Sequence, residues 1–89
     1  MMKTQGIQFS FSTEFQRERE KVVLMMEDLN FNLICSDRNH IYDTVMFSYP
    51  KFYDNEVLTS IFKPVYNRYK DIIYDIRYFV INTESVIEL

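Results

Sequence analysis

Gly6-Ile7-Gln8-Phe9-Ser10-Phe11-Ser12 alternates apolar and polar residues without a fault, and the fold follows from this stretch. Successive side chains of an extended chain point to opposite faces, so Ile7, Phe9 and Phe11 share one side and Gln8, Ser10 and Ser12 the other. A strand of this kind is buried on one face only. It predicts a sheet with one covered face and one open face.

A helix is expected directly after it. Thr13 and Gln16 have the spacing of a capping box, and Glu14 falls in the first turn, where the helix dipole favours a carboxylate. Phe15, Val22, Met26 and Leu29 recur at helical spacing, joined by Val23 and Met25. Residues 16–21 are all polar, so the first turns are expected to project past the sheet or face water. The helix should end near Leu29-Asn30, with Asn30 able to take the left-handed conformation.

Phe31–Ser36 reads as a second strand and Ile41–Tyr49 as a third, ending at Pro50. Asp37-Arg38-Asn39-His40 supplies the turn between them, with Asn39 as the residue suited to a positive φ. The expected core set of the third strand is Ile41, Val45, Phe47 and Tyr49, with Tyr42, Thr44, Met46 and Ser48 opposite. Residues 51–55 form a linker, with Asp54 or Asn55 as helix cap. Leu58, Ile61, Phe62, Val65 and Tyr69 define the buried stripe of a second helix. Pro64 in its middle removes a hydrogen bond and clashes with the Ser60 carbonyl, so the helix is either kinked or split. The stripe continues in phase past Pro64, which favours a kink. Tyr74–Asn82 is the fourth strand, with Tyr74, Ile76, Tyr78 and Val80 on one face. Residues 1–5 are expected to be flexible, and 83–89 to form a tail that docks through Val86, Ile87 and Leu89.

The order strand, helix, hairpin, helix, strand has few good solutions. Crossovers are right-handed, and both helices need an apolar sheet face to cover. A two-layer α+β sandwich of the β-α-β-β-α-β, ferredoxin-like kind meets these demands. It has a four-stranded antiparallel sheet with two helices on one face, strands one and three being central.

Composition bounds the rest. Eighty-nine residues, 47% apolar and 26% charged, suffice for one hydrophobic core and not two. The longest apolar run, Val22–Met26, is far short of a membrane span, which needs roughly 20 residues. The first six residues lack the apolar region of a secretory signal, and the single Cys35 has no internal disulfide partner. A cytoplasmic location is therefore expected, or the host cytoplasm for a viral protein. Net charge is −3 and evenly spread: residues 1–45 hold five Lys/Arg against seven Asp/Glu, and residues 46–89 five against six. No basic stripe of the sort that tracks phosphates is visible. The chain has no alanine, no tryptophan and one glycine, whereas Ile, Asn, Lys, Tyr and Phe are frequent. Ala, Gly and Pro have GC-rich codons, so an AT-rich genome such as that of a phage or mobile element is expected.

Catalytic chemistry finds no footing in these residues. Cys35 is in phase with Phe31 and Leu33 on the expected core face, and no nearby base would activate it. His40, the single histidine, is flanked by Asp37 and Asp43, too few groups for a metal site or a triad. Ser10 and Ser12 lack a local base, and one glycine cannot build a phosphate loop. The expectation is no enzyme, no cofactor and no metal. The run 14–21 reads as a solvated helix face of mixed charge.

The open face of the sheet is the natural contact surface. RNA readers of this architecture place stacking aromatics on the two central strands. Here those positions hold Gln8, Ser10, Ser12, Thr44, Met46 and Ser48, so this mode is disfavoured. The same face is expected to carry Ile34, Met46, Phe79 and Ile81 beside Tyr42 and Arg77. An apolar patch with an aromatic and an arginine has the composition of a protein contact. Coverage by the C-terminal tail stands level with that reading. The leading expectation is a small non-enzymatic interaction or modulator domain binding a protein partner, such as a phage accessory protein that inhibits a host protein, or itself as a homodimer. The alternatives are single-stranded nucleic-acid binding through the Tyr/Arg-rich residues 63–78, and small-molecule sensing at a dimer interface.

Overall fold

A computed structural model describes residues 3–82 of the chain. The elements are β1 (Lys3–Ser12), a 3-10 turn (Thr13–Phe15), α1 (Gln16–Asp28), β2 (Asn32–Arg38), β3 (Tyr42–Tyr49), α2 (Asn55–Tyr69) and β4 (Ile73–Asn82). The strands form one antiparallel sheet in the order β2-β3-β1-β4, so the β-α-β-β-α-β order closes as a ferredoxin-like α+β fold. The expected tail, 83–89, lies outside the described residues. Lys3, Thr4 and Gln5, expected to be flexible, belong to β1.

Every second residue of β1 from Gln5 to Phe11 is buried on the helix side. Ile7, Phe9 and Phe11 are fully buried beneath the helices, opposite Phe47, Val45 and Asp43 of β3. Phe9 sits at the centre of the core, its ring edge-on to Phe11, Phe47 and Phe62 with centroids 6.4, 6.1 and 5.6 Å away. Such T-shaped packing sets the positive edge of one ring against the negative face of the next. Val22 and Met26 of α1 and Leu58, Phe62 and Val65 of α2 complete this layer.

The ends of the elements follow local chemistry, though not always the expected kind. Asn30 adopts φ 73° after α1, where Asn30 N–H bonds the Glu27 carbonyl (3.0 Å) and Phe31 N–H the Met26 carbonyl (3.1 Å). That pair of bonds is a Schellman closure, which satisfies carbonyls the helix end leaves free. Asp54 caps α2 by accepting from Val57 N–H at 2.9 Å. The capping box at Thr13 and Gln16 does not form, because the chain first makes a 3-10 turn and Gln16 Oε1 instead accepts from Arg38 Nη1 (3.3 Å). Asn39 does not have the expected positive φ. Its Oδ1 accepts from both Ile41 N–H (2.8 Å) and Tyr42 N–H (2.7 Å), so its side chain builds the turn. α2 runs through Pro64 as one helix and is not split.

Candidate functional site: the open face and the β4 edge

The residue pairing fixes which side chains reach the open face. Met46 lies opposite Gln8 and Arg77 opposite Gln8 on the other side, so β3, β1 and β4 present Met46, Gln8 and Arg77 in one row. The next row holds Ser48, Gly6 and Phe79, and the row on the opposite side Thr44, Ser10 and Asp75. Ser10 Oγ and Thr44 Oγ1 approach to 3.3 Å, and Arg77 Nε donates to Asp75 Oδ2 at 2.8 Å. The apolar groups therefore flank a polar middle. Met46 and Phe79 are half-buried, and Ile81, opposite Thr4, is exposed.

Gly6 explains how Phe79 comes so close to β1. A β-carbon at residue 6 would come within 2.5 Å of Phe79 Cζ and would also collide with the Phe47 carbonyl. The lone glycine thus leaves a floor for the ring, a cross-strand aromatic covering a bare stretch of backbone.

Two β-bulges shift residues from their expected faces. Between Leu33 and Cys35 the register slips by one, so Ile34 is the inserted residue and Cys35 lies opposite Met46. Cys35 is exposed on the open face instead of buried beside Leu33. The second slip lies in β4, where Phe11 pairs with Ile73 and Ser10 with Asp75, leaving Tyr74 between them. An inserted residue interrupts the strict alternation of a strand. Tyr74 consequently leaves the face of Ile76 and Tyr78 and stacks on Tyr42, with ring centroids 4.6 Å apart. Hydrogen bonding to Tyr74 holds the Tyr42 phenol above its ordinary value, with partial desolvation and repulsion from a Tyr74 phenolate adding in the same direction.

The six residues expected at the contact surface are thus distributed over this face. Tyr42 stands at one end beside Tyr74, Met46 and Arg77 flank Gln8, Phe79 covers Gly6, Ile81 lies at the far end, and Ile34 sits in the bulge at the β2 edge. Arg77 is largely exposed, with its guanidinium on Asp75.

His40 and Asp43 do not converge. His40 is exposed in the turn, whereas Asp43 is in phase with Val45 and Phe47 and points beneath α1. There Arg19 Nε meets Asp43 Oδ1 at 3.0 Å, with side chains 17% and 4% exposed. The Nε–H is not aligned on the carboxylate, so the contact is an ion pair without a well-formed hydrogen bond. Arg19 Nη2 also donates to Ser36 Oγ, and Arg38 Nη2 to the Thr13 carbonyl at 3.2 Å. These polar links seat the first turns of α1 on β2 and β3. Among the described residues no cluster of His, Cys, Asp and Glu is arranged to hold a metal ion.

Gln5, within the residues expected to be flexible, is held firmly instead. It is buried on the helix face, its Oε1 accepting from Tyr53 N–H at 2.8 Å and its Nε2 donating to the Tyr53 carbonyl. The amide thereby clasps the linker into α2. Its parity with Ile7 and Phe9 was the available signal.

Beside β4 the helix layer is incomplete. Phe62, Tyr66, Ile76 and Tyr78, with Thr59, Lys63 and Asn67, line a cleft of about 280 Å³ between α2 and β4. The Tyr78 hydroxyl hydrogen-bonds Thr59 Oγ1 across it.

No family model matches the chain, and no curated protein sequence matches it. Among solved structures, it is similar to the solution structure of the C-terminal domain of the MgtC protein from Mycobacterium tuberculosis. The TM-score is 0.54 at 8% identity, over 89% of this chain and 87% of that one. At that identity the likeness concerns the fold alone. No helix among the described residues is long and apolar enough to cross a membrane.

Proposed function

We propose that the protein is a non-enzymatic interaction domain that binds a protein partner through the open face of its sheet. One observation carries the reading: no helix covers this face among the described residues, and it presents Met46, Phe79 over Gly6, and the Tyr42–Tyr74 stack around a polar centre. Aromatic and Met side chains interleaved with satisfied polar groups are what a desolvating protein contact selects. The AT-rich signature of the composition extends the proposal to a phage or mobile-element factor acting on a host protein.

The test is comparative capture from a host lysate with wild-type protein and Met46→Asp. Proteins retained by the first and lost by the second support the proposal; retention unaffected by the substitution contradicts it.

A second reading rests on the Tyr42–Tyr74 stack. The exposed ring of Tyr74, stacked on the half-buried Tyr42, offers a surface on which a single-stranded base can stack. Against it, Asp75 neutralises Arg77, and Asp37 pairs opposite Thr44 on the same face. Retention on an oligonucleotide that falls steeply with salt, and is lost in Tyr74→Ala, distinguishes this reading from the first.

A further inference from the structure

The two edges of the sheet are unequal. β2 is broken by the bulge at Ile34 and carries Asp37 and Arg38, a combination that discourages another strand from adding. β4 pairs with β1 without interruption from Asp75 to Asn82, and its outer side has no partner strand among the described residues. An unbroken outer strand presents free N–H and C=O groups to any strand of matching register.

We infer that this edge pairs antiparallel with β4 of a second copy, about a two-fold axis at Tyr78. The pairing involves open-face side chains of β4 alone, two strands away from Met46 on β3.

Charge supports a like partner. The chain carries −3 overall, yet β4 contains only Asp75 and Arg77, which neutralise each other at 2.8 Å. A second copy approaching this edge meets no net repulsion. Charge also narrows the register. A two-fold centred on Asp75 or Arg77 would set like charges directly opposite, which is destabilising in a sheet. Centred on Tyr78, the pairing stays within the unbroken segment and sets Arg77 opposite Phe79 of the other copy, a cation–π geometry.

Shape supports it as well. Val80 is in phase with Ile76 and Tyr78 on the helix side and is 57% exposed. In the Tyr78-centred register the second copy's Val80 falls opposite Ile76, which lines the cleft beside α2. Each copy thus brings one exposed apolar side chain to the other's unfilled apolar cleft. Projection and recess lie on the same edge, as a self-complementary two-fold interface requires.

Light scattering during size-exclusion chromatography tests the inference, with the mass expected at twice 10.9 kDa. Val80→Asp places a charge at an exposed position and should leave the far-UV circular dichroism unchanged while weakening the dimer at least about tenfold. In a Cys35→Ser background, Tyr78→Cys should cross-link to its own copy on mild oxidation. A wild-type monomer at high micromolar concentration overturns the inference. So does a dimer that survives Val80→Asp but dissociates with Met46→Asp, since that dimer uses the open face. Cross-linking of Phe79→Cys in place of Tyr78→Cys overturns the register.

Discussion

The ring of Phe79 lies across Gly6, its Cζ 2.5 Å from the point that a β-carbon on residue 6 would occupy. The chain's single glycine is thus needed for a close approach on the open face, with the Phe47 carbonyl crowding the same point. Gly6→Ala is expected to destabilise the fold by about 1–3 kcal/mol, the range for forcing atoms into filled space. Because one of the obstructing groups is backbone, removing the ring should not fully rescue it. Urea denaturation of Gly6→Ala, Phe79→Ala and the double variant checks this: the double should remain less stable than Phe79→Ala.

Arg19 and Asp43 make a second prediction. Removing one partner of a buried ion pair leaves the other charge without compensation, at a cost of about 3–5 kcal/mol, whereas replacing both with apolar residues is often neutral. Arg19→Met should therefore lower the urea midpoint strongly, and Arg19→Met with Asp43→Leu should restore most of it. A double variant as unstable as the single would show that the pair is held for reasons other than charge.

These residues also show where the sequence was legible. The perfect alternation of β1 was enough to place Ile7, Phe9 and Phe11 in the core and to require an open face. The same parity carries Gln5 and Asp43 into the interior, but Gln5 fell within the terminal residues expected to be flexible and Asp43 was considered only as a neighbour of His40. Arg19 likewise stands in the stripe with Phe15, Val22 and Met26, hidden within a polar run. The two bulges had no such signal. A single inserted residue at Ile34 or Tyr74 is decided by how neighbouring strands close, not by the local pattern, and it moved Cys35 and Tyr74 to the open face. The placement of Met46, Phe79 and Tyr42 on the open face was legible, while the Tyr42–Tyr74 stack and the glycine beneath Phe79 were not.

Ionisation of Tyr42 gives a third prediction. Its folded-state value is raised above the ordinary 10.0, chiefly through the hydrogen bond to Tyr74. The neutral phenol is the favoured form, so this contribution to stability is complete below the unfolded value and is lost as pH rises through the folded one. Ultraviolet titration should show one tyrosine ionising later than an ordinary phenol. Tyr74→Phe should return it to the ordinary range, and an unchanged titration would separate the shift from Tyr74.

The central claim, that the open face binds a protein partner, is tested most directly by quantitative capture with three baits: wild type, Met46→Asp and Val80→Asp. The account predicts a set of partners retained by wild type and Val80→Asp and lost with Met46→Asp, since only Met46 lies on the open face. Retention of the same set by Met46→Asp, with the variant shown to be folded, would contradict it.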